Sequence, residues 1–297
     1  MSRPLTIFRL RGRLEIGTFA ALLVVACVAA GGVPAAGLAV APRAAGGTSC
    51  AYAPADHTLG ISAADRKVVV SVQRQKEELV VRKDRDRVPC GGSEPTVANV
   101  DRIVVFSKTE LALDLRGGPL APGFTNEGDG SSEIEVEAVF NRTGGLRVRG
   151  SGRRDAIVMG ELAGVHGVNL NAREAHRDVD VTVDGGFPVL SVLGRAGNDL
   201  ISARGGAGFR GPLGIRTTVS AGGGRDRVRG SSKRDLIGGG DGPDRIAPGA
   251  GTDRIKSLGG ADRLRLRDGE RDYARCGPGE DKVKADRKDR LAGCDQR

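Results

Sequence analysis

The chain has 297 residues and a formal net charge of +9, yet only 3% of it is aromatic and tryptophan is absent. That composition excludes a compact core built around large rings, and the length leaves room for one or two domains. The 47 glycines point either to a turn-dense fold or to low complexity, and the regular spacing towards the C-terminus decides for the former.

Residues 1–45 are expected to be a signal peptide or N-terminal anchor rather than part of the fold. Arg3, Arg9, Arg11 and Arg13 precede the apolar run IGTFAALLVVACVAA, and Ala30, Ala39 and Ala41 offer small-residue cleavage positions. The alternatives to cleavage are a lipid-carrying Cys27 in VVAC and a retained membrane anchor. In each case the rest of the chain is expected to be secreted or at the cell surface. Cys50, Cys90, Cys276 and Cys294 then remain, and an even count in an exported chain reads as disulfides with three possible connectivities. None has metal-ligand spacing, which argues against zinc.

Residues 46–140 read as an N-terminal β-strand region. RKVVVSV, EELVV, RIVVF and TELALDL are β-branched or alternating runs separated by charged or Gly/Pro turns. Residues 141–220 read as degenerate solenoid coils with an inserted loop. GDGSSEIEV (128–136) carries Ser132 where GSGRRDAIV (150–158) carries Asp155, and VDVTVDGG and FPVLSVLGRAGND look like longer strands of one stack. The loop RGGAGFRGPLG (204–214) is expected to be a surface excursion, because it lacks the Lys and Ser/Thr of a phosphate-cradling loop.

From Asp226 the chain acquires a strict period. Asp226, Asp235, Asp244, Asp253 and Asp262 are nine residues apart, Asp272, Asp281 and Asp289 follow after ten, nine and eight, and Asp199 lies three nines before Asp226. Two residues after each Asp of the unbroken run comes an aliphatic residue: Val228, Ile237, Ile246, Ile255 or Leu264. A fixed short period means that each unit buries its apolar side only against its neighbours. Strands stacked ~4.8 Å apart would place Asp226, Asp244, Asp262 and Asp281 in one column and Asp235, Asp253, Asp272 and Asp289 in another. Carboxylates at that distance repel by roughly 3 to 4 kcal/mol at an effective dielectric of 20. Each column therefore needs counter-charge, from a metal ion or from the adjacent Arg225, Arg227, Arg234, Arg245, Arg254 and Arg263.

GGDGPDRIA (Gly239 to Ala247) matches every fixed position of G-G-x-G-x-D-x-U-x, and GRAGNDLIS, AGGGRDRVR and PGAGTDRIK each lack one glycine. In this the chain resembles the hemolysin-type, or RTX, calcium-binding nonapeptide-repeat proteins. The resemblance implies an all-β fold, a parallel β-solenoid with a C-terminal β-roll of nonapeptide repeats over residues 221–297, and calcium ions between stacked turns. Carried over residue by residue, it assigns metal binding to Asp199, Asp226, Asp235, Asp244, Asp253, Asp262, Asp272, Asp281 and Asp289. Gly239, Gly240, Gly242, Gly249 and Gly251 would supply turn geometry and carbonyl oxygens. The order of cues from Cys50 through VPCGG and LALDLRGGPLAPG to NEGDGSSEIEVE also resembles the N-terminal part of exported proteins of this kind. Two features depart from the pattern. Residues 221–297 carry 19 Lys+Arg against 14 Asp+Glu, where family members are usually acidic, and the export signal lies at the N-terminus.

Cys276 and Cys294 are 18 residues apart, two nonapeptides or one coil, so a bridge between them is expected, which leaves Cys50 for Cys90. Residues flanking each buried aliphatic should point outward. Arg227, Arg229, Arg245, Arg263, Arg265, Lys282 and Lys284 would then form a cationic ladder on one face. The opposite face, with Leu236, Arg254, Lys256, Tyr273, Arg275 and Arg290, is less uniform. Without interleaved aromatics, sequence-specific nucleic-acid recognition is not expected. His57, His166 and His176 share no motif, and neither H-E-x-x-H nor G-x-S-x-G occurs, so no catalysis is expected. The expected function is an exported protein that binds calcium as a structural ion. The competing one is a metal-independent basic surface module that binds a polyanion such as cell-wall polymer or extracellular nucleic acid.

Overall fold

The computed structural model describes residues 47–294 except 66–67, 122, 124–132, 141–143, 173–178 and 185–188. The targeting segment expected over 1–45, and the turn expected at 128–132, lie outside the described residues. Across the described residues the chain is all-β, with one short 3-10 turn at Leu115–Gly117. The described strands form two long, mostly parallel sheets of 13 and 11 strands, an arrangement consistent with a β-solenoid.

The nine-residue period has a direct structural expression. Arg227–Arg229, Arg245–Ala247, Arg263–Arg265 and Lys282–Lys284 belong to the first sheet, and Leu236–Asp241, Arg254–Gly259, Tyr273–Arg275 and Arg290–Ala292 to the second. Successive strands thus alternate between sheets, and each pairs in parallel with the strand two ahead. The register aligns Val228, Ile246, Leu264 and Val283 in one sheet and Ile237, Ile255, Ala274 and Leu291 in the other. All but Leu291 are fully buried, and Leu291 packs against the same core. Three-residue strands suffice because each has to bury only one aliphatic side chain, and that side chain finds its neighbours directly above and below.

The earlier part of the chain continues the same two sheets without the period. Thr58–Ala63, Arg102–Ser107, Glu135–Phe140 and Val181–Asp184 are parallel neighbours in the first sheet. Val69–Gln75, Glu110–Asp114, Gly145–Arg149 and Leu190–Ala196 are parallel neighbours in the second. These strands are four to seven residues long, and most bury two or more apolar residues. The period is lost because antiparallel hairpins insert extra strands. Thr48–Ala53 pairs with Thr58–Ala63, Val69–Gln75 with Glu78–Lys83, and Ala156–Leu162 with Val165–Asn169.

Both expected disulfides are present. Cys50 and Cys90 are register partners on neighbouring strands with Cα atoms 4.5 Å apart. Cys276 and Cys294 bridge adjacent coils at 5.1 Å. The inserted loop over 204–214 does more than run across the surface. It buries Phe209 and Leu213, and Phe209 lies so close to Gly160 and Gly167 that a Cβ at those glycines would come within 2.5 and 3.0 Å of it.

Candidate metal centre

The Asp residues of the repeat do not face solvent. Asp226, Asp244, Asp253, Asp262, Asp272 and Asp281 are at most 1% exposed, Asp199 and Asp235 are 2% exposed, and Asp289 is 9% exposed. Each stands just before a short strand, where the backbone enters the sheet, and its carboxylate turns inward.

Within a column the carboxylates are joined by the backbone. The N–H of Asp226 donates to Oδ1 of Asp244, that of Asp244 to Asp262, and that of Asp262 to Asp281, each at 2.9 Å. Asp155 and Asp199 extend this column at its start, through N–H donation to Asp199 and Asp226 at 2.7 Å. The second column runs from Asp235 to Asp253 at 2.8 Å, then to Asp272 and to Asp289 at 2.9 Å. Thr217 heads it, donating its N–H to Asp235. The columns therefore join the Asp residues that the spacing places together.

One oxygen of each carboxylate is thus used. The other, Oδ2, is buried with no hydrogen-bond partner in Asp226, Asp244, Asp253 and Asp272, and in Asp262 it has the buried Ser257 hydroxyl beside it. None of the ion pairs between described residues reaches these five or Asp235. Arg227, Arg245, Arg254 and Arg263, candidate counter-charges by sequence, are exposed on the outer faces instead. Burial drives Asp244 and Asp272 up to about 7 and Asp253 up to about 8, and nearby carboxylates push the same way. Asp226, Asp235 and Asp262 are also raised, chiefly by burial.

Asp235 is of a different kind. Ser231 donates its N–H to Oδ2 at 2.6 Å and its Oγ–H to Oδ1 at 2.8 Å. Ser151 does the same for Asp155 at 2.8 Å in both bonds. Both turns read Gly-Ser where the full repeat reads Gly-Gly. Asp289 is closed in a similar way, with Oδ2 accepting the N–H of Asp286.

The glycines complete the turns. Gly240 and Gly242 have φ of +123° and +115°, and a Cβ on either would lie 1.7 and 2.0 Å from the carbonyl oxygens of Gly222 and Gly224 one coil earlier. Gly239 leaves space for Oδ2 of Asp244, which a Cβ there would meet at 2.6 Å. In the second column Gly249 and Gly251 lie over the Ser231 and Lys233 carbonyls in the same manner.

Asp268 is not among the residues that the repeat singles out. Exposed itself, it has one carboxylate oxygen in a group with one each from Asp253 and Asp272, the three within 4.8 Å of one another. Asp268 stands four residues before Asp272, where the repeat has a glycine, so the pattern passes over it. The available signal is the ten-residue step from Asp262 to Asp272.

No protein-family model, curated protein or solved structure matches this chain.

Proposed function

We propose that the chain is an exported calcium-binding β-roll of the RTX kind, in which calcium acts as a structural ion between coils. The observation that carries this reading is the set of buried Oδ2 atoms of Asp226, Asp244, Asp253 and Asp272, none of which accepts a hydrogen bond or joins an ion pair between described residues. An ionised carboxylate left so is unfavourable by several kcal/mol unless paired. The donor set suits a hard cation: carboxylate and glycine carbonyl oxygens, with no sulfur or imidazole in the columns. Calcium takes six to eight such oxygens in flexible geometry.

The residues that would hold it fall into two groups. Asp226, Asp244 and Asp262 form an open run with the turn carbonyls of Gly222, Gly224 and Gly242. Asp253 and Asp272 form the second with Asp268, whose third carboxylate replaces what a glycine turn would offer. Asp235 is already served by Ser231, so its coil closes without metal. When bound, the ion would supply the positive charge that keeps both buried carboxylates of a pair ionised.

The test is calorimetric titration of the protein with calcium at pH 8, alongside Asp244→Asn and Asp235→Asn. In Asp244→Asn the side-chain carbonyl can still accept the Asp226 amide, so the fold is retained while one charge is removed from two neighbouring sites. Calcium binding that weakens at least tenfold in Asp244→Asn and is little changed in Asp235→Asn supports the reading. Absence of calcium binding by the wild type at millimolar concentration refutes it.

A further inference from the structure

The outer face of the first sheet carries a charge distribution that the calcium reading does not use. Arg227, Arg245, Arg263 and Lys282 are direct register partners on four consecutive parallel strands. They form a straight row of cations ~4.8 Å apart. Arg229, Arg265 and Lys284 stand beside it, two residues further along their strands, and all seven side chains are exposed. No outward position of these strands holds a carboxylate, and none of the seven is in an ion pair between described residues.

Several strands nearer the N-terminus pair their charges instead. Arg147 pairs with Glu110 across neighbouring strands at 2.9 Å, and Lys83 pairs with Asp65 at 2.8 Å. In the first sheet itself Arg102 is the register partner of Glu135. Like charges directly opposite one another in a sheet are destabilising, so four in a row without acids require counter-charge from outside the chain.

We propose that this face binds a linear phosphate polymer without bases, laid across the strands along the row Arg227, Arg245, Arg263 and Lys282. Guanidinium groups take phosphate oxygens in bidentate fashion, and three of the four positions are Arg. The four strands of the row have no aromatic side chain on which nucleic-acid bases could stack: Tyr273 belongs to the other sheet, and the exposed Phe106 lies on a distant strand of the first. The proposal needs the coils to be folded but does not depend on which ion folds them.

The probe is poly(glycerol phosphate), titrated against the full protein in calcium-containing buffer. Binding through four contacts should fall with salt with a log–log slope of about −3. Reversing Arg227, Arg245, Arg263 and Lys282 to Glu should weaken it by roughly a hundredfold at low salt. Reversing Arg254, Lys256, Arg275 and Arg290 on the other sheet, an equal change in net charge, should alter it less than threefold. Should the first variant lose its strand signal in circular dichroism, Gln at the same four positions should still weaken binding about tenfold. Equal losses from the two faces would overturn the proposal, as would equally tight binding of oligo(dT) or polyglutamate of matched charge.

Discussion

In the second sheet, one inward-facing row changes character part-way along the chain. In the N-terminal half it carries Val70, Leu111, Leu146 and Leu190. Thr217 follows in register, and from there the row continues as Asp235, Asp253, Asp272 and Asp289. The adjacent inward row stays apolar throughout, from Val72, Leu113, Val148 and Val192 to Val219, Ile237, Ile255 and Ala274. The backbone path is the same in both halves, but its support is not. Burying a Leu there contributes about 1.5 to 3 kcal/mol, whereas an ionised carboxylate in the same position is a net loss without a partner. The N-terminal half is thus stable on its aliphatic content, and the C-terminal half is conditional on what meets its carboxylates.

On the calcium reading proposed above, removing the ion would be the strongest way to separate the halves. Each site held at a hundred times its Kd contributes about 2.7 kcal/mol, and both columns contain open carboxylates. Hydrogen exchange should therefore accelerate by roughly a hundredfold or more in metal-free buffer at Val228, Ile246, Ile255 and Leu264. The amides of Ile103, Leu113 and Val148 should stay protected. Uniform acceleration in both halves would dissolve the contrast.

Next in size is the bridge from Cys276 to Cys294, which closes a loop with a sequence separation of 18. The chain-entropy relation gives about 3 kcal/mol for a loop of that size. Replacing both cysteines by Ser should loosen the last coils and leave exchange at Leu146 and Val192 unchanged.

A further effect is expected from pH in the metal-free protein. The raised folded-state values of Asp244, Asp253 and Asp272 mean that the folded coils bind protons the unfolded chain releases. The stability gained is full below about pH 4 and is lost as pH rises through the folded-state values of about 7 to 8. Metal-free protein should accordingly melt at a higher temperature at pH 5 than at pH 8, with Asp244→Asn narrowing the gap and calcium, on the proposed reading, closing it at pH 8. A higher melting temperature at pH 8 without metal would contradict this.

The smallest effect concerns backbone geometry. Leu258 has φ +71° and is 49% exposed, and it occupies the register position of Gly240. Leu258→Gly should relieve about 1 kcal/mol of left-handed strain and raise the melting temperature by a few degrees. A lower melting temperature would show that the side chain matters more there than the turn.

The period makes the C-terminal half legible in sequence, because a buried aliphatic two residues after each Asp leaves little freedom in register. The Cys276–Cys294 pairing follows from the same count. Hairpins such as Val69–Gln75 with Glu78–Lys83 are not readable as insertions into the same sheets, since strand patterns report which residues are buried but not which strand they lie beside. The inward turn of the carboxylates is only partly legible. Asp and Gly mark a turn, yet the difference between open Asp244 and serine-closed Asp235 rests on hydrogen bonds from Ser231 that a worn repeat does not advertise. The packing of Phe209 over Gly160 and Gly167 is a contact between segments far apart in the chain, and no local signal announces it.

The donation of each Asp amide to the carboxylate of the next coil gives the stack a direction. The N–H of Asp244 has its acceptor only once Asp262 has arrived, and that of Asp262 waits for Asp281. A chain that has formed one coil but not its successor therefore holds an amide poised for the next carboxylate. The aliphatic N-terminal stack can act as the template on which the first coil settles. The acceptors thus lie always one coil nearer the C-terminus, where the Cys276–Cys294 bridge fastens the last coils.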